Sequence, residues 1–260
     1  MTVITKINHS FQSGLNTCSI HFEKKVKIAG LEICPTCAVN KVTESNLKHG
    51  KAVRKMIYEN HLAGGMLPIR HKNSGFHNYR CELPGQVIAF NSCAAYAEQI
   101  MKGQVTNLVM VGKTGTGKTH LACATARTLL KNGKTARYIT SEELANDIMA
   151  AWYRQGDSEK NTIYRYTEYD LLIIDEYGLH DREKRKEVVH KVLYARYDAD
   201  KATMLISNFA LNDTKDRMGA IIHGLISDLG DRLWSRFQHG GLTQIECVWA
   251  DTRLGAKYEC

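Results

Sequence analysis

Proline is scarce in this chain, with three residues among 260, and no segment is repeated or of low complexity. Those absences exclude a fibrous or disordered chain, and 43% hydrophobic with 24% charged residues is the balance of an ordinary globular protein. Long apolar runs are missing as well. The strongly apolar stretches are short pieces such as Leu171–Ile174, whereas a membrane-spanning helix needs about 20 such residues. The opening MTVITKINHSFQSG has no apolar core of the signal-peptide kind, so a cytoplasmic protein with no membrane partner is expected. Under cytoplasmic redox conditions the eight cysteines do not read as a disulfide framework, and their spacing matters more than their number.

Acidic residues are thin at one end only. Residues 1–75 carry 11 Lys/Arg against 4 Asp/Glu, and the remainder carries 24 against 23. An N-terminal region that meets nucleic acid or an acidic protein surface would explain this, as would a merely solvated basic face. The length suits two domains. Residues 1–60 are expected to form a small N-terminal domain containing a polar helix over Lys41–Tyr58. Residues 61–75, with Gly64, Gly65, Pro68 and the basic stretch Arg70–Lys72, read as a linker, and residues 76–260 as the larger domain.

Strand and helix periods alternate through that larger domain. Strands are expected at Asn107–Val111, Ala136–Thr140, Asp170–Asp175 and Ala202–Ser207. Helices are expected over 86–101, Lys118–Lys131, Glu142–Arg154 and Glu183–Tyr197. Such alternation predicts an α/β fold, a parallel sheet flanked by helices on both faces.

Between the first strand and its helix, Gly112–Thr119 reads GKTGTGKT, which satisfies the phosphate-loop pattern GxxxxGK[ST] in the context its mechanism needs. Gly115 and Gly117 let the backbone wrap a polyphosphate with successive N–H groups turned inward, and the positive end of the next helix faces the same anion. Lys118 would reach the β- and γ-phosphates of ATP, and Thr119 would offer its hydroxyl to Mg²⁺. The apolar strand LLIIDE then delivers Asp175 and Glu176 to the carboxyl edge of the sheet, where ligands bind in such folds. Asp175 is expected to hold Mg²⁺ through water, and Glu176 to polarise the water that attacks the γ-phosphate.

Asn208 follows the strand Ala202–Ser207. Its amide can touch both γ-phosphate and attacking water if that strand lies between the other two; otherwise it is a turn residue. Farther on, Arg232 and Arg236 stand four apart on one face of a helix. Either can serve a neighbouring subunit as an arginine finger, or pair structurally with Asp228 or Asp231.

Cys18, His21, Cys34 and Cys37 form C-x₂-H-x₁₂-C-x₂-C. Three thiolates and one imidazole make a closed tetrahedral set suited to structural Zn²⁺, with His9 or His49 as alternative nitrogen ligands. Bound metal would organise a domain too small to fold by burial alone. Cys81, Cys93, Cys123, Cys247 and Cys260 show no paired spacing.

Four further segments, SGFHNYR at 74–80, GKTHLA at 117–122, IDEYG at 174–178 and LISN at 205–208, make residues 74–254 resemble the DnaC/DnaI-type replicative helicase loaders. These are AAA+ ATPases related to the DnaA initiator. The resemblance implies nucleotide contacts from Gly112, Thr114, Gly115, Thr116, Gly117, Lys118, Thr119 and His120. It makes Asn208 the sensor beside the γ-phosphate. Ser235–Phe237 with Gly240–Leu242 is similar to the motif carrying the arginine finger, which selects Arg236 and implies self-association. It further implies that the ATP-bound domains line single-stranded DNA, with contacts from Asp147–Arg154 where Trp152 and Tyr153 offer stacking faces. The N-terminal domain would grip a hexameric replicative helicase, and its zinc pattern looks more like DnaI-type than DnaC-type loaders. With so short a tail after Arg236, no separate lid domain is expected. The nearest rival is an IstB-like transposition helper acting on duplex DNA. A P-loop kinase would share the phosphate loop but has no use for Glu176, Asn208 and Arg236 together, and a zinc-bearing adaptor would not need to turn ATP over.

Overall fold

The computed structural model describes residues 12–28, 30–178 and 183–251, so His9 lies outside the described residues. The chain divides into two compact units, Met1–Ile57 and Tyr58–Cys260.

The first unit is an antiparallel sheet of β1 (Gln12–Thr17), β2 (Lys24–Ile28) and β3 (Leu31–Ile33) in that order, followed by the long helix α1 (Pro35–Gly65), which runs on into the second unit. Pro35 suits the first helical turn, where its missing N–H is not needed. The helix extends at both ends beyond the predicted Lys41–Tyr58. Gly64 and Gly65, read as linker residues, form its last turn. Among the described side chains up to Ile57, only those of Cys18 and Cys34 are buried. The described residues of this unit form no apolar core.

The second unit is built on five parallel strands: β4 (Asn107–Gly112), β5 (Ala136–Thr140), β6 (Leu171–Tyr177), β7 (Ala202–Ser207) and β10 (Leu242–Cys247). Their order is β10-β4-β7-β6-β5, every pairing parallel. A short hairpin of β8 (Thr214–Lys215) and β9 (Ile221–Ile222) follows β7. Because successive strand residues point to opposite faces, each buried strand feeds two cores. Leu108, Met110, Leu171, Ile173, Met204 and Ile206 enter one, with Cys93 and Tyr96 of α2 (Pro84–Met101) and Leu121 and Leu129 of α3 (Lys118–Lys131). Val109, Val111, Leu172, Ile174 and Leu205 enter the other. That second face is covered by α4 (Ser141–Ala150), α5 (Glu159–Thr167), α6 (Glu183–Asp198), α7 (Leu225–Leu229) and α8 (Asp231–Gln238). With both faces covered, the strands read as continuous apolar runs, as the sequence of β6 does.

Local caps set the boundaries. Gln86 accepts the N–H groups of Glu82 and Leu83 at 2.7 and 2.9 Å, and Pro84 opens α2. Thr140 and Glu143 form a reciprocal capping box that starts α4. The predicted helix Glu142–Arg154 is shorter than expected, ending at Ala150. Gly156 then takes φ +80°, and Ser158 caps α5 by accepting the Asn161 N–H at 3.1 Å. α5 carries its own cap within the polar stretch 154–165, whose periodicity is too weak to announce a helix.

Arg196 of α6 is wholly buried. Its guanidinium donates to Thr203 Oγ1 at 3.1 Å, to the Tyr169 carbonyl at 3.0 Å and to the carbonyls of Tyr166 and Ala202. Burial pulls its pKa down to about 9, so it remains a cation at neutral pH, tying the end of α5 to the start of β7. Arg196→Met is expected to strand these acceptors and lower stability by about 3–5 kcal/mol, read as a shifted denaturant midpoint. A loss below about 1 kcal/mol would mean that the carbonyls find other donors.

Candidate functional site

The strand order puts β7 between β4 and β6, so the phosphate loop, Asp175–Glu176 and Asn208 meet at the carboxyl edge of one sheet. Lys118, 6% exposed, donates from Nζ to the carbonyls of Gly112 at 2.6 Å and Lys113 at 2.7 Å, and to Asn208 Oδ1 at 3.1 Å. Thr119 donates to Asp175 Oδ2 at 2.8 Å. The two oxygens expected to serve one Mg²⁺ are thus already side by side.

The loop is held in an anion-ready shape. Gly112, Gly115 and Gly117 have φ of +135°, +81° and +88°, values that disfavour any side chain with a Cβ. Thr116 donates to the Lys113 carbonyl at 2.9 Å, while Thr114 is exposed at the tip. A Cβ on Gly117 would stand 3.0 Å from the Tyr79 ring, and that ring meets His120 edge-on at 5.3 Å. His120 Nε2 lies 3.1 Å from the Gly75 carbonyl. The SGFHNYR segment therefore lines the phosphate loop.

Glu176 is presented by a defect in the sheet. The β6–β7 register shifts between Ile174 and Tyr177, and Glu176 takes the left-handed φ of +57°. Bulges and left-handed non-glycine residues concentrate at functional sites, where they redirect one side chain. Here every other β6 residue is buried and Glu176 is exposed. Ser207 secures the bulge by donating to the Tyr177 carbonyl at 2.7 Å. Partial desolvation, followed by the Asp175 charge beside it, raises the Glu176 pKa, which makes it a stronger proton acceptor than an ordinary carboxylate.

Sequence reasoning missed Tyr138, whose hydroxyl donates to Asp175 Oδ2 at 2.7 Å and fixes that carboxylate from β5. It is the one aromatic in the strand ARYIT, and that was the available signal. Arg236 is not brought to this site. Its guanidinium lies over Tyr194 at 4.6 Å and Tyr197 at 5.1 Å, both on α6 of the same chain, and Arg232 is exposed. In the segment suggested for DNA, Tyr153 is 88% exposed. Arg154 pairs with Asp147 at 2.7 Å and Asp157 at 3.7 Å, and Trp152 donates to Glu159 at 2.9 Å.

In the first unit, the ligand atoms of Cys18, His21, Cys34 and Cys37 all lie within 4.8 Å of one another. A tetrahedral zinc centre has edges of roughly 3.8 Å between sulfurs and 3.5 Å from sulfur to nitrogen. Cys18 and Cys37 sulfurs are 3.7 Å apart, and His21 Nδ1 is 3.5 Å from Cys34 and 3.3 Å from Cys37. The donor set therefore fits the ion, with His21 in it and His49 exposed on α1. The Cys37 N–H reaches back to Cys34 Sγ at 3.5 Å; backbone N–H groups of His21 and Ile20 lower the Cys18 pKa to about 6, whereas burial and the neighbouring thiols push Cys37 up to about 11, so without a cation the cluster favours a thiolate at Cys18 and not at Cys37.

Comparison with known proteins agrees with this geometry. A family model described as IstB-like ATP binding protein matches residues 41–238. The replicative helicase loader DnaC of Escherichia coli K12 is 30% identical over 174 residues, covering 66% of this chain and 70% of its own length. Among solved structures, that of the DnaC helicase loader superposes with a TM-score of 0.57 at 22% identity, over 68% of this chain and 99% of that one. DnaI superposes with 0.53 at 16% identity, over 72% and 94%. These structural matches show an AAA+ fold, and the chain belongs to the IstB-like ATP-binding protein family, among its DnaC-type members.

Proposed function

We propose that this protein loads a hexameric replicative helicase onto single-stranded DNA, and that Mg²⁺-dependent ATP hydrolysis times its release. One observation carries the hydrolytic part: Glu176, set in the β6 bulge, stands beside Asp175 on one side of β7, the strand that Asn208 follows, while the phosphate loop stands on the other. A kinase would need no such water-polarising carboxylate.

The residues then take these roles. Backbone N–H groups from Gly112 to Thr119 cradle the phosphates of ATP, with Thr114, Thr116 and His120 bordering the site. Lys118 leaves its carbonyl partners for the β- and γ-phosphates. Thr119 and Asp175 hold Mg²⁺, which neutralises developing charge when bound. Glu176 accepts a proton from the attacking water, and Asn208 positions that water against the γ-phosphate. Arg236 completes a neighbouring subunit's site, which makes hydrolysis depend on self-association. Cys18, His21, Cys34 and Cys37 hold structural Zn²⁺ in the domain that grips the helicase. The exposed ring of Tyr153 supplies a stacking face for DNA bases. No described helix is long and apolar enough to cross a membrane, in keeping with a cytoplasmic place of work.

The likeness to DnaC supports helicase loading. The family description keeps an IstB-like transposition helper as the second reading. A pull-down from native lysate with ATP or ADP present separates them. Loading predicts recovery of a hexameric helicase that depends on the nucleotide, and tighter binding to single-stranded than to duplex oligonucleotides by anisotropy. Recovery of a transposase with duplex preference would replace loading by the transposition reading.

A further inference from the structure

The segment after β10 lies across the phosphate loop. Cys247, the last residue of β10, and Trp249 and Asp251 beyond it touch three residues of that loop. A Cβ on Gly112 would overlap the Cys247 carbonyl. Trp249, 8% exposed, donates its indole N–H to the Thr116 carbonyl at 2.9 Å, and its ring edge stands 3.1 Å from where a Cβ on Gly85 would be. The Asp251 carboxyl group fills the space a Cβ on Gly115 would need. A buried tryptophan thus pins the chain, and the next residue but one delivers a carboxylate to the bend of the loop.

That bend is built to receive an anion. Left-handed glycines turn its backbone N–H groups into a concavity at the N-terminus of α3, where the helix dipole is positive. A carboxylate is the anion that the chain itself can bring there. The phosphates of ATP would stand within a few ångströms of it, and like charges at that distance repel.

We propose that Asp251 is a built-in competitor of the nucleotide: its carboxylate occupies the bend of the phosphate loop in the absence of nucleotide, and ATP displaces it. This rests on the loop being the ATP site. It adds to that site a switch in the chain that follows β10, released by phosphate charge. Trp249 keeps the segment tethered, so release swings Asp251 away without unfolding the sheet edge.

The test is nucleotide affinity of the full chain with Asp251→Asn, which keeps shape and removes charge. ATP affinity is expected to rise about three- to tenfold. The gain should be smaller for ADP, absent for adenosine, and reduced as salt is raised. That charge ladder distinguishes competition from altered packing. An equal gain for adenosine, unchanged affinities, or weaker ATP binding would each overturn the proposal, the last by making Asp251 a nucleotide ligand. Lys118→Ala separates the two levels. Should ATP binding survive that change undiminished, the ATP-site assignment fails as well, whatever Asp251 does.

Discussion

Glu176→Gln should slow ATP turnover by about 10²–10⁴-fold, the usual worth of a positioned general base, while ATP affinity stays within about threefold of the unaltered chain. The amide keeps the size and the bulged backbone of the glutamate but cannot take a proton from water. Nothing else in the binding geometry changes, because Lys118 is held by the Gly112 and Lys113 carbonyls and Asn208, and Thr119 by Asp175, none of which involves the Glu176 side chain. Phosphate release measured beside binding of a fluorescent ATP analogue checks both halves. The raised pKa of Glu176 adds a pH signature. Its carboxylate must be ionised to act, so the rate should fall on acidification through a pKa above the ordinary glutamate range, and that acid limb should vanish in Glu176→Gln. If the loading proposal holds, the variant with ATP should retain a helicase in a pull-down. Turnover within about threefold of normal would remove Glu176 from the base role.

Removing metal should unfold the first unit and leave the second intact. The reason is the burial pattern: up to Ile57 the described side chains that are buried are two of the four candidate ligands, Cys18 and Cys34, and no apolar residue joins them. A structural zinc site supplies roughly 10–16 kcal/mol of apparent binding free energy at neutral pH, and in small metal-bound domains this is the folding free energy. A three-stranded sheet without a core has nothing with which to replace it. Elemental analysis should give about one Zn²⁺ per chain. Chelation, or Cys34→Ser, should abolish amide protection over β1 to β3, whereas the melting transition of the parallel-sheet unit should stay within about 2 °C. Retained protection after complete chelation would make the cluster a set of reduced thiols and remove zinc from the account.

Both predictions draw on patterns legible in the amino-acid sequence. The phosphate loop, LLIIDE and the cysteine spacing are local: the residues that act together are neighbours in the chain or stand at a diagnostic interval, and periodicity tells strand from helix around them. Where local signals are weak the sequence misleads. Nothing in the polar stretch 154–165 announces α5, and the glycines at 64 and 65 read as linker although they complete the last turn of α1, which ends at Gly65, where the roughly 1 kcal/mol that an interior glycine costs matters least.

The order of amino acids by itself determined the alternation of elements, the anion-binding turn, the two carboxylates at a strand end and the C-x₂-H…C-x₂-C donor set. Tertiary structure alone decided the rest. Strand order placed Asn208 against Lys118 across 90 residues of chain, and the fold brought His21, and not the exposed His49, to the three cysteines. It buried Arg196 among backbone carbonyls, set Tyr138 on Asp175 from the neighbouring strand, and laid Trp249 and Asp251 on a loop more than a hundred residues earlier. The physical reason is common to all of these. Local propensity and hydrophobic period act over a few residues, whereas side chains far apart in the chain meet only after the sheet has paid the entropy of closing long loops, and no short-range pattern records which ends it brings together.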